Sequence, residues 1–325
     1  MSKYLVTGAA GYVGSEVIRQ LQAAGEEVLA VDLRDPCKPG VQYFNVDITK
    51  LDAVMDAFKD VEIDYILHVA SLPGDTGNPR QMVDVNVCGC VDMLELARVK
   101  KVKRIAVVSS ISAYEWYPAV KFNAPDYMPV DEKHPLRPQD MYSSTKQMQE
   151  ILVKTFYCEY NVPACAIRLA AVVGRNAQGG GRGWRKLSEE LAEGVEVQIP
   201  HFTMEERCHY VDVRDVARML IHCCKSDSAN GEMFNCCGPY SVTGQDLANI
   251  INKYYPDIKV TVGFPWSMAQ GGEIEFSVQK AKDVMGFEPL YGMDESIGDI
   301  KAWIDEGGLE VGLNRTEKFG EGVQK

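Results

Sequence analysis

Tyr142 and Lys146 stand four residues apart in the run YSSTK, and both are types that can handle a proton. A tyrosine hydroxyl has an unperturbed pKa of about 10. It is a poor base at neutral pH unless a cation stabilises the phenolate. On a helix, residues four apart share one face. Lys146 is therefore spaced to supply that cation and make Tyr142 a general acid and base of useful strength. By itself, Y-x-x-x-K is a frequent coincidence. Its weight comes from what precedes it: the stretch TGAAGYVG at residues 7–14, Asp32, and the run SSISAY at the end of an apolar segment.

The glycine stretch follows the apolar run KYLV and opens a pattern with apolar residues at Val17, Ile18, Leu21 and Ala24, which is a helical period stopped by Gly25. In that setting Gly8 permits a tight turn, Gly11 lets backbone approach a pyrophosphate, and Gly14 lets helix and strand pack closely. The helix N-terminus supplies unpaired N–H groups and a favourable dipole for the anion. Asp32 ends the next strand, EEVLAVD. A carboxylate there accepts hydrogen bonds from the adenosine ribose hydroxyls and repels a 2′-phosphate. The expected cofactor is NAD(H) rather than NADP(H), with Arg34 nearby as the residue that would soften the preference.

These groups need a scaffold, and the chain alternates strand and helix patterns. KYLVTG, EEVLAVD, VQYFNVD, DYILHVA, RIAVVSS and PACAIRLAAVV read as strands. GSEVIRQLQAAG, LDAVMDAFKD, the stretch from Met82 to Lys100, and Tyr142 to Tyr160 read as helices. Repeated alternation predicts an α/β fold with a doubly wound, Rossmann-type parallel sheet and a smaller C-terminal substrate domain. Residues 1–174 form the expected NAD-binding domain, and 207–240 return to it. Residues 175–206 and 241–312 form the smaller domain, and 313–325 a surface tail. The glycine-rich run GRNAQGGGRGW separates the two characters of the chain.

Composition excludes several classes. With 325 residues and 46% hydrophobic content, the chain can bury a large core. A net charge of −12 gives no electrostatic footprint for nucleic acid or an anionic membrane. No apolar run is long enough to span a bilayer, and KYLVTG is not preceded by a charged-then-apolar leader. The ten cysteines include the adjacent pairs Cys223-Cys224 and Cys236-Cys237, with no C-x-x-C pair. They read as buried small hydrophobes in a reducing, cytoplasmic setting, with no metal site. His68, alone at a strand end, reads as a hydrogen-bonded structural residue, and no Ser–His–Asp order supports hydrolysis.

The spacing of Gly8, Gly11 and Gly14 resembles the T-G-x-x-G-x-x-G turn of the short-chain dehydrogenase/reductase superfamily, in its extended, epimerase-like branch. Later landmarks follow in order over nearly the whole chain, and Y-x-x-x-K is that family's most specific signature. The resemblance makes Tyr142 and Lys146 the acid/base pair. It makes Ser110, four residues before Tyr114, the hydroxyl that bonds the reacting substrate oxygen, with Ser112 as the alternative. It places Tyr12, Val13 and Leu33 beside the cofactor, and Asp47 and Ile48 at its adenine. The run HVAS, with Val69, Ala70 and Ser71, would pass under the nicotinamide ribose and diphosphate. Asn86 would support the site through nearby backbone and water, and Ser109, Leu169, Tyr142 and Lys146 complete the cofactor set. Arg168, Asp212 and Asp215 match landmarks expected to be structural. The resemblance also implies a homodimer through a four-helix bundle, with Met93, Leu94, Leu96, Ala97, Met148, Ile151, Leu152 and Phe156 on the helices concerned.

Members of this family use one hydride step to oxidise or reduce, to epimerise, or to dehydrate. Dehydratases add acidic residues where this chain has Ile111 and Ser112, which makes dehydration the weakest reading. A non-catalytic binding protein on the same fold would commonly lack the tyrosine or lysine, and both are present. Nucleotide-sugar members usually carry an asparagine where this chain has Ala171, and an arginine where it has Cys208. A late R-x-G-D has no arginine to match in AQGGEIEFSVQKA. A diphosphate needs such partners. The expected substrate is therefore smaller: a free sugar, a sugar acid, or another secondary alcohol or ketone. Ser71, Ser110, Ser112, Tyr142 and Arg182 are its expected contacts, with Arg185 on the same loop. Net oxidation or reduction is the expected reaction, and sugar or nucleotide-sugar epimerisation the alternative.

Overall fold

The computed structural model describes residues 1–74, 76–114, 125–177, 182–199, 204–262 and 274–309, apart from the side chains of Arg182 and Val262. The Arg182 side chain, part of the glycine-rich run, and the 313–325 tail therefore lie outside the described residues. The first half runs β1 (Lys3–Thr7), α1 (Tyr12–Ala23), β2 (Glu27–Asp32), β3 (Gln42–Asn45), α2 (Leu51–Phe58), β4 (Tyr65–His68), α3 (Pro79–Val83), α4 (Gly89–Lys100) and β5 (Arg104–Ser110). It continues through α5 (Met141–Tyr160), β6 (Ala164–Leu169), β7 (Ala171–Val173), α6 (Arg182–Glu193), β8 (Val197–Ile199), β9 (Arg207–Cys208) and β10 (Tyr210–Asp212). The last elements are α7 (Val213–Lys225), β11 (Met233–Cys236), β12 (Val242–Thr243), α8 (Gly244–Tyr254), β13 (Val260–Val262), α9 (Gln279–Met285) and α10 (Met293–Asp305).

Seven strands form one parallel sheet in the order β3-β2-β1-β4-β5-β6-β11. Strand order reverses between β1 and β4, the kind of switch point at whose carboxyl end open α/β sheets bind their ligands. Alternation along each strand splits the core in two. Tyr4, Val6, Val28, Ala30 and Ala106 pack with α1 and α7 on one face, and Leu5, Leu29, Ile66, Ile105 and Val107 with α2, α4 and α5 on the other. A sheet covered on both faces needs apolar residues at every position, so the strand sequences show no polar alternation.

Two elements differ from their expected form. PACAIRLAAVV, expected as one strand, breaks at Ala170, whose N–H donates to the Cys236 carbonyl at 3.0 Å. Before the break β6 joins the central sheet. After it β7 leaves to pair with β10. The run is apolar throughout, so its period carries no mark of the departure. The expected helix from Met82 to Lys100 starts earlier, at an Asn78–Gln81 capping box, and holds a five-residue π-helical stretch, Asp84–Cys88, that contains Asn86. Single π turns inside helices are frequent at functional sites.

A third hydrophobic cluster packs Trp184, Leu187, Tyr210, Leu247, Ile251, Ile297 and Ile300. Asp212 caps α7 by accepting from the Arg214 backbone N–H at 2.8 Å, and ties it to α10 by accepting from Ser296 at 2.6 Å. Asp215 accepts the Leu290 and Tyr291 N–H groups, both at 2.8 Å, and pairs with Arg218. Cys165, Cys223, Cys224, Cys236 and Cys237 all pack in the α1/α7 cluster as apolar side chains.

Arg168 holds Glu150 by two bonds, of 2.7 and 2.9 Å, and both side chains are almost fully buried. Glu150 also accepts from Ser109 at 2.6 Å, while Arg168 donates to the Tyr114 hydroxyl. Removing one partner of a buried pair leaves the other charge uncompensated. Arg168→Leu should cost about 3–5 kcal/mol in chemical denaturation. The double variant Arg168→Leu/Glu150→Leu should cost clearly less than the sum of the two single changes.

Candidate active site

The turn between β1 and α1 is built around two glycines. Gly8 has φ +67°, a left-handed conformation, and a Cβ on Gly14 would run into the Gly8 carbonyl. Gly11 caps α1 without a side-chain hydrogen bond, so the first N–H groups of the helix stay open to an anion. Asp32 lies against this turn. One carboxylate oxygen accepts the Ala10 N–H at 3.0 Å and the other the Arg34 N–H at 3.1 Å. Each oxygen keeps a further lone pair for a ribose hydroxyl. Asp47 is fixed by Thr49, which donates through N–H at 2.9 Å and hydroxyl at 2.8 Å. These groups fit a dinucleotide. Burial, helped by Asp212, pushes the Tyr12 phenol well above its ordinary pKa. The ring packs against the cluster that contains Trp184 and Leu247.

Two polar residues pin the loop after β4. Thr7 Oγ1 accepts from the N–H groups of Val69 and Ala70, both at 3.1 Å, and lies 2.8 Å from His68 Nδ1. Asn86 is 0% exposed and uses its whole amide. Its Oδ1 accepts from Ser71 Oγ at 3.0 Å and Leu72 N–H at 2.7 Å. Its Nδ2 donates to the Leu72 carbonyl and to Thr145 Oγ1 of α5, both at 3.1 Å.

Helix α5 starts at Asp140, which accepts from the Ser143 N–H at 2.9 Å and hydroxyl at 2.6 Å. Lys146 is 1% exposed, and its Nζ donates to the Val108 carbonyl of β5 at 2.9 Å. The same Nζ is 5.6 Å from the centre of the Tyr142 ring. Burial pulls the Lys146 ammonium down to about 8, with Cys90 and Glu150 opposing. Helix α5 packs along β5, through Lys146 on Val108 and Glu150 on Ser109, and along the Ile111–Tyr114 turn that follows it. Ser110 Oγ accepts from the Ser112 N–H at 3.1 Å and from the Ser112 hydroxyl at 2.9 Å. Both its lone pairs are thereby taken, so its own proton is directed to a third group.

The structure distributes the expected residues unequally. Lys146 lies 5.6 Å from the centre of the Tyr142 ring and bonds Val108 of β5, the strand that ends in Ser110. Ser112 is buried and acts on Ser110. The Ser109 hydroxyl is committed to Glu150, so only its backbone can meet a ligand. Ser71 spends its proton toward Asn86. Leu33 is exposed, and Leu169 lies opposite Ser110 in the sheet. Arg185 sits on α6, not on a loop. Its Nε donates to Glu189 at 2.9 Å, and its two terminal nitrogens are buried without a hydrogen-bond acceptor. Thr7, Thr145 and the Val108 carbonyl were not anticipated as contributors. Thr145 lies three residues from Tyr142, so helical spacing could have found it. Thr7 stands inside the glycine motif, where only the glycines drew attention. A backbone carbonyl leaves no sequence signal.

The model of the NAD dependent epimerase/dehydratase family matches residues 4–237. The UDP-glucuronate 4-epimerase of Thermodesulfobacterium geofontis is 26% identical over 338 residues, covering 94% of this chain and 97% of that protein. Among solved structures, UDP-glucose 4-epimerase from Thermotoga maritima has a TM-score of 0.80 at 22% identity, over 94% of this chain and 99% of that one. L-threonine dehydrogenase from Clostridium difficile also has a TM-score of 0.80 at 22% identity, over 95% of this chain and 99% of that one.

The Asp32 carboxylate should make NAD(H) bind more tightly than NADP(H). Titrating both cofactors by fluorescence measures the ratio. Asp32→Asn, which removes the charge and keeps the shape, should narrow it by about tenfold or more, given that a charged hydrogen bond contributes roughly 1.5–3 kcal/mol.

Proposed function

We propose, from the premise that this chain belongs to the NAD dependent epimerase/dehydratase family and uses NAD as its cofactor, that it oxidises a secondary alcohol, or reduces the matching ketone, on a small sugar, sugar acid or similar polyol. Bound NAD supplies the acceptor for a hydride from the carbinol carbon. The chain's own residues handle the proton and the oxygen. Tyr142, as phenolate, takes the hydroxyl proton. Lys146, held beneath it by the Val108 carbonyl, supplies the positive charge that makes the phenolate accessible. Ser110 donates to the substrate oxygen, because Ser112 occupies both of its lone pairs. The observation that supports this reading is a buried Lys146, 5.6 Å from the centre of the Tyr142 ring and held by the Val108 carbonyl, two residues before Ser110.

The substrate class rests on two positions at the third hydrophobic cluster, Cys208 and Ala171. Cys208 is buried, and its neighbour Arg207 turns toward Ser241, with 3.4 Å between nitrogen and hydroxyl. Ala171 offers a methyl group where nucleotide-sugar enzymes of the branch offer an amide. Neither position gives a diphosphate the partners its charge requires. Nucleotide-sugar epimerisation is the second reading, favoured by the near full-length similarity to a UDP-glucuronate 4-epimerase. An NAD-coupled absorbance screen should find net NADH change with free sugars, uronic acids or hydroxy ketones, and none with UDP-, GDP- or dTDP-sugars. Product analysis showing interconversion of a nucleotide sugar without net NADH would replace the first reading by the second. With whichever substrate turns over, Tyr142→Phe should lower kcat by roughly 10²–10⁴ and leave NAD affinity within a few-fold.

The chain is also proposed to form a homodimer through α4 and α5. Met93, Leu94, Leu96 and Ala97 are consumed by the core, and Phe156 nearly so. Met148 at 44% exposure, Ile151 at 57% and Val99 at 51% remain as an apolar strip. Light scattering at micromolar concentration should give a dimer mass, and Ile151→Arg should shift it to monomer. A wild-type chain that is monomeric throughout would remove the proposal.

A further inference from the structure

Four polar side chains, His68 of β4, Cys90 of α4, and Lys146 and Gln149 of α5, are buried. The proton on His68 can be located by counting bonds. Thr7 Oγ1 has two lone pairs, and the N–H groups of Val69 and Ala70 take both at 3.1 Å. Its hydroxyl proton must then go to His68 Nδ1, 2.8 Å away. Nδ1 is therefore the bare nitrogen, and Nε2 carries the hydrogen. That Nε2–H is buried without an acceptor among the described residues.

The neighbouring groups complement it. Gln149 lies one turn past Lys146 on α5, is 0% exposed, and has both its amide oxygen and nitrogen buried without a partner. The Cys90 thiol of α4 lies beside this amide and close enough to Lys146 to feel its charge, without forming a geometrically sound hydrogen bond to the amide. Lys146 has three protons and places one on the Val108 carbonyl. His68 pairs with Val107 in the sheet, next to Val108, which brings the imidazole to the lysine. Two donors, His68 Nε2–H and Lys146 Nζ–H, are thus neighbours, and two acceptors, Gln149 Oε1 and Cys90 Sγ, lie beside the same lysine and helix. A water molecule accepts two hydrogen bonds and donates two, and buried waters typically satisfy two to four such groups.

We propose that one buried water joins His68 Nε2–H, Lys146 Nζ, Gln149 Oε1 and Cys90 Sγ, and that His68 and Gln149 are thereby positioning residues that keep Lys146 charged beneath Tyr142. The role given to Lys146 rests on the function proposed above, whereas the geometry of the cluster does not. Burial pulls Lys146 down to about 8 and His68 to about 3, so His68 stays neutral and the lysine sits near the edge of its charged range. The titratable groups facing Lys146 are His68 from β4, Cys90 from α4, and Glu150 and Tyr142 from its own helix. Replacing the water and amide by apolar atoms withdraws solvation from the ammonium, which lowers its pKa further.

The test uses the full chain with NAD, lysines labelled with ¹³C at Cε, and the Lys146 resonance assigned by its absence in Lys146→Met. Gln149→Met keeps the length of the side chain and removes both polar ends. It should lower the Lys146 titration midpoint by about one pH unit, a tenfold change in the charged fraction above the midpoint. The alkaline limb of kcat should move down with it, while KM for NAD stays within twofold. Gln149→Glu sets a carboxylate beside the ammonium and should move both upward. His68→Phe should act in the same direction as Gln149→Met, and if it does not fold, Gln149→Met decides alone. ¹⁵N shifts of His68 should show the neutral Nε2–H form from about pH 5 to 9. An unmoved lysine midpoint in Gln149→Met overturns the proposal, as does a His68 proton on Nδ1. The lysine titration needs no turnover. Failure to find an alcohol substrate would therefore sink the proposed function and leave this cluster still tested.

Discussion

Lys146 Nζ lies 2.9 Å from the Val108 carbonyl oxygen, almost wholly withdrawn from water. An ammonium at that depth is costly. Its shift from an ordinary 10.5 to about 8 corresponds to roughly 3 kcal/mol against the folded state below pH 8. The sign follows from the direction: the folded pKa is depressed, so the penalty is full below about 8 and fades as pH rises toward the unfolded value. The rest of the site is arranged around that charge. β5 ends so that a carbonyl is available to it, α5 carries Tyr142 one turn above it, and Glu150 lies one turn below.

A buried charge is useful only if its surroundings cannot relax around it, and the neighbouring elements are tied accordingly. Asn86 spends all of its amide on the loop after β4 and on Thr145 of α5. Thr7 fixes the other end of that loop to the glycine turn. The Arg168–Glu150 pair anchors α5 to β5 and β6 through Ser109. The two strands at the switch point and the helix that bears Tyr142 therefore form one hydrogen-bonded frame. The π-helical stretch at Asp84–Cys88 fits this account. It is where the helix departs from regular geometry, and Asn86 lies within it.

The parallel sheet was legible because burial on both faces forces continuous apolar strands, which helical periods then separate. The glycine turn was legible because Gly8 and Gly14 occupy positions where a side chain would strain or collide. Other features were not legible, for physical reasons. The break at Ala170 leaves no trace in a run where every residue is apolar. The helix of Arg182–Glu193 hid behind four neighbouring glycines that read as loop. Helical spacing brought Tyr142 and Lys146 together, but the carbonyl that holds Lys146 belongs to the backbone of a distant strand. The direction of the Ser112-to-Ser110 hydrogen bond depends on a 3₁₀ turn at Ile111–Tyr114 that no local pattern announces.

That direction has a consequence for the chemistry. A serine hydroxyl in water donates and accepts indifferently, and would meet an alcohol and a ketone equally well. Ser112 removes the choice by filling both acceptor positions of Ser110. Ser110 can then only donate, which suits an oxygen that is gaining negative charge. In the proposed reaction Tyr142 has the opposite task, taking the proton that the substrate hydroxyl loses while Ser110 supports the oxygen left behind. The asymmetry that this division of labour needs is already built on the Ser110 side, because Ser112 has decided which end of that hydroxyl is available.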